Sequence, residues 1–283
     1  MTDSLLAHLL DIASDPASGD LILGGGYGIR MKQRYLRQSE SKTLIPAIPD
    51  ARATQDLDFF LPMAFFIQKQ RAQAIRALLD RLDYQEYTPR WQFGKSIDVN
   101  TPEIKMKIDL LARTPRQLED VPVKRPRVGA GTGMNIHGRE TPEAFAVEDM
   151  PLRIPLTGTC SDGRQVEATI LVPHPYASLN MKVMAAHDWL QMRHGAQPVK
   201  PNSERHVFDV YMLIAMFTEA ELAESESLAE KYRTLPIAED IRANAKQLFG
   251  AASSPGITEL RRITASELDY SLFWAALTTA LGA

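Results

Sequence analysis

Cysteine is almost absent: of 283 residues only Cys160 carries a thiol. A lone cysteine excludes an intramolecular disulfide and a thiolate metal cluster, and fits a reducing compartment. Long apolar runs are missing too. No stretch reaches the roughly 18 consecutive apolar residues of a membrane span, and Met-Thr-Asp-Ser-Leu-Leu at the start lacks the basic and apolar regions of a secretion signal. There is no excess of one charge. Thirty-two basic against 35 acidic residues leave a net charge of −3. Coating nucleic acid by bulk charge is thereby excluded, whereas a local basic patch is not. The six histidines show no metal-ligand spacing, and no internal repeat is visible. What is left is 45% hydrophobic and 24% charged, the balance of an ordinary globular chain long enough for one large domain or two smaller ones. A cytoplasmic protein with no membrane association is expected.

Hydrophobic periodicity changes near residue 173. Before it, periods of two and 3.6 alternate; after it, the pattern is almost wholly helical. Residues 2–14 read as an amphipathic helix with Leu5, Leu9 and Ile12 on one stripe. A strand is expected over 54–61, stopping at Pro62, then a helix over 64–82 and strand-like pieces at 86–93 and 96–99. The clearest alternation lies in 103–111, where Ile104, Met106, Ile108 and Leu110 point one way and Lys105, Lys107 and Asp109 the other. Residues 115–150 are rich in Pro and Gly and carry no readable period; strands follow at 151–157 and 165–172. Helices are expected at about 176–193, 204–218, 220–232, 238–249 and 265–281, with a loop at 195–203 ending in Ser203 as a helix cap. The fold class is therefore α+β: a small mixed sheet flanked by helices over 1–172, and a helical bundle over 173–283.

Asp56 and Asp58 are two apart on the expected strand, so they share a face with α-carbons about 6.6 Å apart. Leu57 and Phe59 take the core face. Carboxylates so placed can reach one Mg²⁺ ion or share two, and Asp109 supplies a third if its strand pairs nearby. The pair alone says little, because about four acid-x-acid pairs are expected at ordinary composition. Solvated surface is the plain alternative. The apolar alternate positions on both strands set this pair apart.

Four glycines within Gly24-Gly25-Gly26-Tyr27-Gly28 follow the apolar Leu21-Ile22-Leu23 and precede a helix. Such a turn lets the backbone approach a phosphate, or simply accommodates positive φ. Gly129, Gly131 and Gly133 imitate a dinucleotide fingerprint, but Met134 occupies the place of the third glycine, so this is read as a loop. Arg30, Arg34 and Arg37 make one helical stripe leading away from the glycine turn, suited to a triphosphate or an RNA backbone, or to plain solvation. Lys124-Arg125-Pro126-Arg127 reads as an exposed basic loop. From Val207 to Thr218 the only charge is Asp209. A buried lone carboxylate is costly, so Asp209 is expected to pair with a cation, and Lys182 is the best placed. Cys160, between Thr159 and Ser161, reads as a turn residue.

In order, Gly25-Gly26-Tyr27-Gly28-Ile29-Arg30, Thr54-Gln55-Asp56-Leu57-Asp58-Phe59-Phe60 and Ile108-Asp109-Leu110 resemble the minimal nucleotidyltransferase fold of the DNA polymerase β type. The later Asn180-Met181-Lys182-Val183-Met184-Ala185 and Glu204-Arg205-His206-Val207-Phe208-Asp209-Val210 are similar to a helical segment of AbiEii/AbiGii-type toxins. Those are nucleotidyltransferases of bacterial toxin–antitoxin and phage-abortive systems. The resemblance spans about 25–215 as short islands, and its specificity lies in their order.

The resemblance implies that Asp56 and Asp58, with Asp109, hold the Mg²⁺ that bridges the nucleotide phosphates, and that Asp109 helps activate the attacking hydroxyl. It implies that Gly25 and Gly26 cradle the triphosphate of an NTP, that Lys182 contacts it, and that Asp209 positions Lys182 or the nucleotide; Arg30, from its helical stripe, is a further nucleotide-binding candidate. Four departures stand out: a longer stretch between the glycines and Asp56, Tyr27 where a small hydroxyl residue is common, His206 for an acid, and Phe208 for tyrosine. The expected activity is Mg²⁺-dependent transfer of an NMP from an NTP to a hydroxyl, with a tRNA end or other RNA as acceptor and a cognate antitoxin as partner. A protein side chain or a small antibiotic-type molecule is the alternative acceptor, and a non-catalytic toxin-like binding protein the alternative class.

Overall fold

A computed structural model describes residues 4–46, 48–52, 54, 56–88, 90–96, 105–131, 133–195, 204–264 and 268–283. Residues 2–3 and 97–99, Ile104, residues 196–203 of the expected 195–203 loop with its cap Ser203, and 265–267 lie outside the described residues. The chain forms two compact units, one of Met1–Tyr35 with Arg52–Pro173 and one of Leu36–Ala51 with His174–Ala283.

In the first unit the chain runs α1 (Ser4–Ala13), β1 (Ile22–Leu23), α2 (Gly25–Gln38, whose last turn groups with the second unit), β2 (Asp56–Phe60), α3 (Met63–Ile67), α4 (Lys69–Arg81), β3 (Gln85–Thr88), β4 (Gln92–Ser96), β5 (Lys105–Ala112), β6 (Val123–Lys124), β7 (Arg127–Val128), β8 (Gly138–Glu140), β9 (Leu152–Thr159) and β10 (Gln165–Val172). Among the described residues these strands form one mixed sheet, ordered β6-β7-β8-β5-β2-β1-β10-β9, with β4 joined to β5 and β3 to β4. The β2–β5, β1–β10 and β5–β8 pairs are parallel. Strand alternation decides the register. Leu57, Phe59, Met106, Ile108 and Leu110 are all buried, so the polar positions between them share the other face. The expected stripe of α1 holds as well, with Leu5, Leu9 and Ile12 in the same core.

The helix expected over 64–82 is two helices. Gln68 leaves helical torsion space at φ −101° and ψ 87°, and the halves bury separate stripes: Met63, Phe65 and Phe66 before it, Ala72, Ile75, Leu78 and Leu79 after it. The region 115–150 contributes β6, β7 and β8 to the sheet edge, three strands of two or three residues each. Gly129 and Gly133 both have φ of +79° in the connection from β7, which fits the loop reading and leaves no dinucleotide turn. Arg113 ties this region down. Its guanidinium is buried, donates from Nη1 to Glu119 at 2.8 Å, and places Nε 2.7 Å from Glu148.

The second unit holds α5 (Pro175–His194), α6 (Arg205–Ala215), α7 (Glu219–Lys231), α8 (Pro236–Phe249), α9 (Pro255–Thr264) and α10 (Tyr270–Leu281). Thr218 and Glu221 cap the start of α7 with a reciprocal capping box. Residues 36–51 belong here because Leu44 N–H donates to Phe217 C=O at 2.9 Å and Ile45 N–H to Ala215 C=O at 3.3 Å, while Arg37 pairs with Asp50 at 2.9 Å. No helix among the described residues is long and apolar enough to cross a membrane.

Two measurements check this account. Arg113→Met leaves Glu119 and Glu148 without their shared cation. Unfolding in urea is expected to show a loss of about 3 kcal/mol, the lower end for a broken buried pair because both carboxylates keep some water. The second concerns acid. Burial, helped by Arg90 and Arg127, holds the His137 imidazole below its ordinary 6.5. The unfolded chain therefore binds a proton there before the folded one does, and stability falls as pH drops below 6.5. His137→Gln should flatten that part of the stability–pH curve; a curve parallel to the parent's would remove His137 from the acid response.

Candidate active site

Three carboxylates share the polar face of the sheet. Asp56 and Asp58 lie on alternate positions of β2, and the parallel register sets Asp58 opposite Asp109 and Asp56 opposite Lys107 of β5. All three aspartates are half-buried, while Lys107 is exposed. Their charges are coupled. Burial raises the Asp56 carboxyl above its ordinary range, Lys107 and Arg52 pull it down, and Asp109 pushes it up. On the other edge of β5, β4 pairs antiparallel and places Gln92 opposite Asp109. The Gln92 amide donates to Asp109 Oδ1 at 2.7 Å, and its carbonyl accepts from Thr88 Oγ1 at 3.0 Å.

The glycine turn abuts the same carboxylates. Gly24 N–H donates to the Asp58 carbonyl at 2.8 Å, and α2 starts at the next residue. Gly25 has φ of +62°, and a Cβ on it would collide with the Asp58 carboxylate. Gly28 permits close helix–strand packing, since a Cβ there would strike the Leu23 carbonyl. A Cβ at Gly26 would lie 3.3 Å from Arg52 Nη2 and 3.5 Å from Thr54, so these two residues flank the turn. The turn thus presents a helix N-terminus, where unsatisfied N–H groups favour an anion, next to a carboxylate cluster. Tyr27 is fully buried in the apolar core, and the Arg30 guanidinium sits 5.9 Å from its ring centroid.

The remaining predicted residues lie in the helical unit. Lys182 Nζ on α5 donates to Asp209 Oδ2 on α6 at 2.7 Å, with side chains 10% and 2% exposed, the pairing that the apolar surroundings of Asp209 require. His206 Nδ1 stands 3.8 Å from the same oxygen. The structure therefore gathers Gly25, Gly26, Asp56, Asp58 and Asp109 in the first unit, and Lys182 with Asp209 in the second.

A family model, the nucleotidyl transferase AbiEii toxin of type IV toxin–antitoxin systems, matches residues 9–277. The chain belongs to the AbiEii nucleotidyl transferase toxin family. It is accordingly a nucleotidyltransferase, an enzyme that transfers a phosphorus-containing group, and its family implies a nucleotide substrate and an antitoxin partner. A search of curated proteins finds no match.

In this AbiEii family member three polar residues of the site escape a reading by motif. Arg52 stands four residues before Asp56, and its basic charge ahead of the strand was the available signal. Gln92 and Thr88 carry no charge, and only the β3–β4–β5 register reveals them. Among the described residues no group of three or more His, Cys, Asp or Glu lies at metal-ligand spacing, so the carboxylates converge on one face without closing into a cage. Their chemistry nevertheless suits a hard cation: oxygen donors only, with Asp56 raised by burial and by Asp109.

The buried pair of the helical unit can be tested by a double-mutant cycle. Asp209→Leu strands the Lys182 charge and Lys182→Met strands the Asp209 carboxylate, and each should cost about 3–5 kcal/mol. Lys182→Met with Asp209→Leu should recover most of that loss; additive losses would show that the two side chains act independently.

Proposed function

We propose that this nucleotidyltransferase moves an NMP from an NTP to a hydroxyl of an RNA acceptor in an Mg²⁺-dependent reaction. The observation that carries the reading is the register that sets Asp58 opposite Asp109, with Asp56 on the same face and the glycine turn against Asp58. Asp56 and Asp58, with Asp109, are the residues that would hold Mg²⁺, which when bound offsets charge on the phosphates. The backbone N–H groups at the start of α2, at Gly25 and Gly26, would receive the triphosphate. Asp109 would accept the proton of the attacking hydroxyl, a role open to a carboxylate held in place by a neutral amide. For Lys182 we propose a triphosphate contact, with Asp209 positioning Lys182 or the nucleotide, on the strength of the family resemblance, and for Arg30 a phosphate contact on the strength of its place in the helical arginine stripe.

Two charges next to the carboxylates bear on the acceptor. Arg52 and Lys107 both act on Asp56. Cations there attract a polyanion such as RNA and repel a polycationic drug, which would prefer an unrelieved acidic cleft.

The test is a thermal-shift panel of the four NTPs, each with and without Mg²⁺, on the parent and on Asp56→Ala/Asp58→Ala. The parent should gain about 2.7 kcal/mol at a nucleotide concentration one hundred times Kd. The double variant should stay folded, since removing clustered like charges relieves repulsion, and should lose the gain. Labelled NTP should then mark RNA. A gain that survives the double substitution, or none with any NTP, would sink the assignment; label on a small molecule would replace the acceptor.

A further inference from the structure

We propose that Gln92 is a positioning residue of the transfer reaction, holding the Asp109 carboxylate in its working orientation. The proposal rests on the reading of Asp109 as part of the active site. Three observations converge on it. Gln92 faces Asp109 directly across the β4–β5 ladder. Its Nε2 donates to Asp109 Oδ1 at 2.7 Å, a short bond for a neutral donor, its partner an anion. Its own carbonyl accepts from Thr88 Oγ1 at 3.0 Å, which fixes which end of the amide turns to Asp109.

The choice of side chain matters chemically. An arginine or lysine at this position would orient Asp109 equally well but would neutralise it, weakening it both as a proton acceptor and as a cation ligand. A glutamine orients without neutralising. It occupies one oxygen and leaves the other to the reaction. The hairpin that carries Gln92 is itself anchored beside the site, since Leu110 N–H donates to Trp91 C=O at 2.7 Å and His137 N–H to Arg90 C=O at 2.8 Å. Thr88, Gln92 and Asp109 thus form a relay from the end of β3 to the carboxylate face, with each member on a different strand.

The experiment compares Gln92→Met, Thr88→Val and Asp109→Asn with the parent. Gln92→Met keeps length and apolar stem while removing the amide. Two quantities are measured: Mn²⁺ affinity of the nucleotide-free protein by electron paramagnetic resonance, and kcat and KM for the NTP. Gln92→Met should weaken Mn²⁺ binding and lower kcat by about 10-fold each, the usual cost of losing a partner that orients a ligand, with KM for the NTP unchanged. Thr88→Val should show a smaller loss in the same two quantities. A merely structural glutamine would lower the melting temperature and leave Mn²⁺ affinity and the kcat-to-KM pattern unmoved, which overturns the proposal. Parental behaviour of Gln92→Met beside an inactive Asp109→Asn would overturn it while leaving Asp109 in the site. An Asp109→Asn that binds Mn²⁺ and turns over like the parent would overturn the site assignment itself.

Discussion

The in-register parallel pairing of Asp56–Phe60 with Lys105–Ala112 is the constraint on which the candidate site depends. Because side chains alternate along a strand, pairing Asp58 with Asp109 commits Leu57, Phe59, Met106, Ile108 and Leu110 to the opposite face, where all five are buried. A slip of one residue would drive the carboxylates into the core and expose those apolar groups. Each fully buried side chain of this size contributes about 1.5–3 kcal/mol. Five of them outweigh the mutual repulsion of three half-buried aspartates that still meet solvent. The core face thus holds the carboxylates on one side of the sheet although Asp109 pushes against the charge on Asp56.

The glycine turn depends on the same strand. Gly24 is bound to the Asp58 carbonyl, and Gly25, at φ +62°, lies so close to the Asp58 side chain that no Cβ fits. The turn therefore cannot shift relative to the carboxylates without breaking a ladder contact. In this light the glycines serve both readings open to them from sequence: they are conformationally required, and they bring N–H groups of a helix start beside an acidic cluster. Tyr27 belongs to neither task. Its ring fills the core, and Thr54 is a hydroxyl residue that flanks the glycines.

How much was legible follows from the strength of the local pattern. The strands around Asp56 and Asp109 show in sequence because one of their faces is apolar throughout, and the need of Asp209 for a cation shows because its helix has no other charge. The edge strands β6, β7 and β8 do not show, since two or three residues are too few to carry a period and their positions are set by ladder pairing that builds outward from β5. Helix α9 was missed for a related reason: Ile257 and Leu260 are its only large buried apolar side chains. The division of 64–82 at Gln68 left no trace either, because both halves are helical in composition and only their packing faces differ. Residues 36–51 look like an insertion between two motifs, yet backbone hydrogen bonds to Ala215 and Phe217 place them with the helical unit.

Net charge is the wrong variable for judging whether a site can meet a polyanion. A total of −3 argues against nucleic-acid binding only if charge acts in bulk, whereas screening at physiological ionic strength limits each exposed charge to about 8 Å. Within that range the site is mixed. Arg52 and Lys107 act on Asp56, and Arg52 reaches Gly26 at the helix start. Cations and carboxylates thus share one neighbourhood, the mixed arrangement on which the proposed binding of phosphates and metal rests. Gln92 fits the same logic from the other side of β5, since a further cation on Asp109 would cancel the negative charge that such chemistry needs. The distribution of charge, and the deliberate neutrality of one donor within it, carries more functional information than its sum.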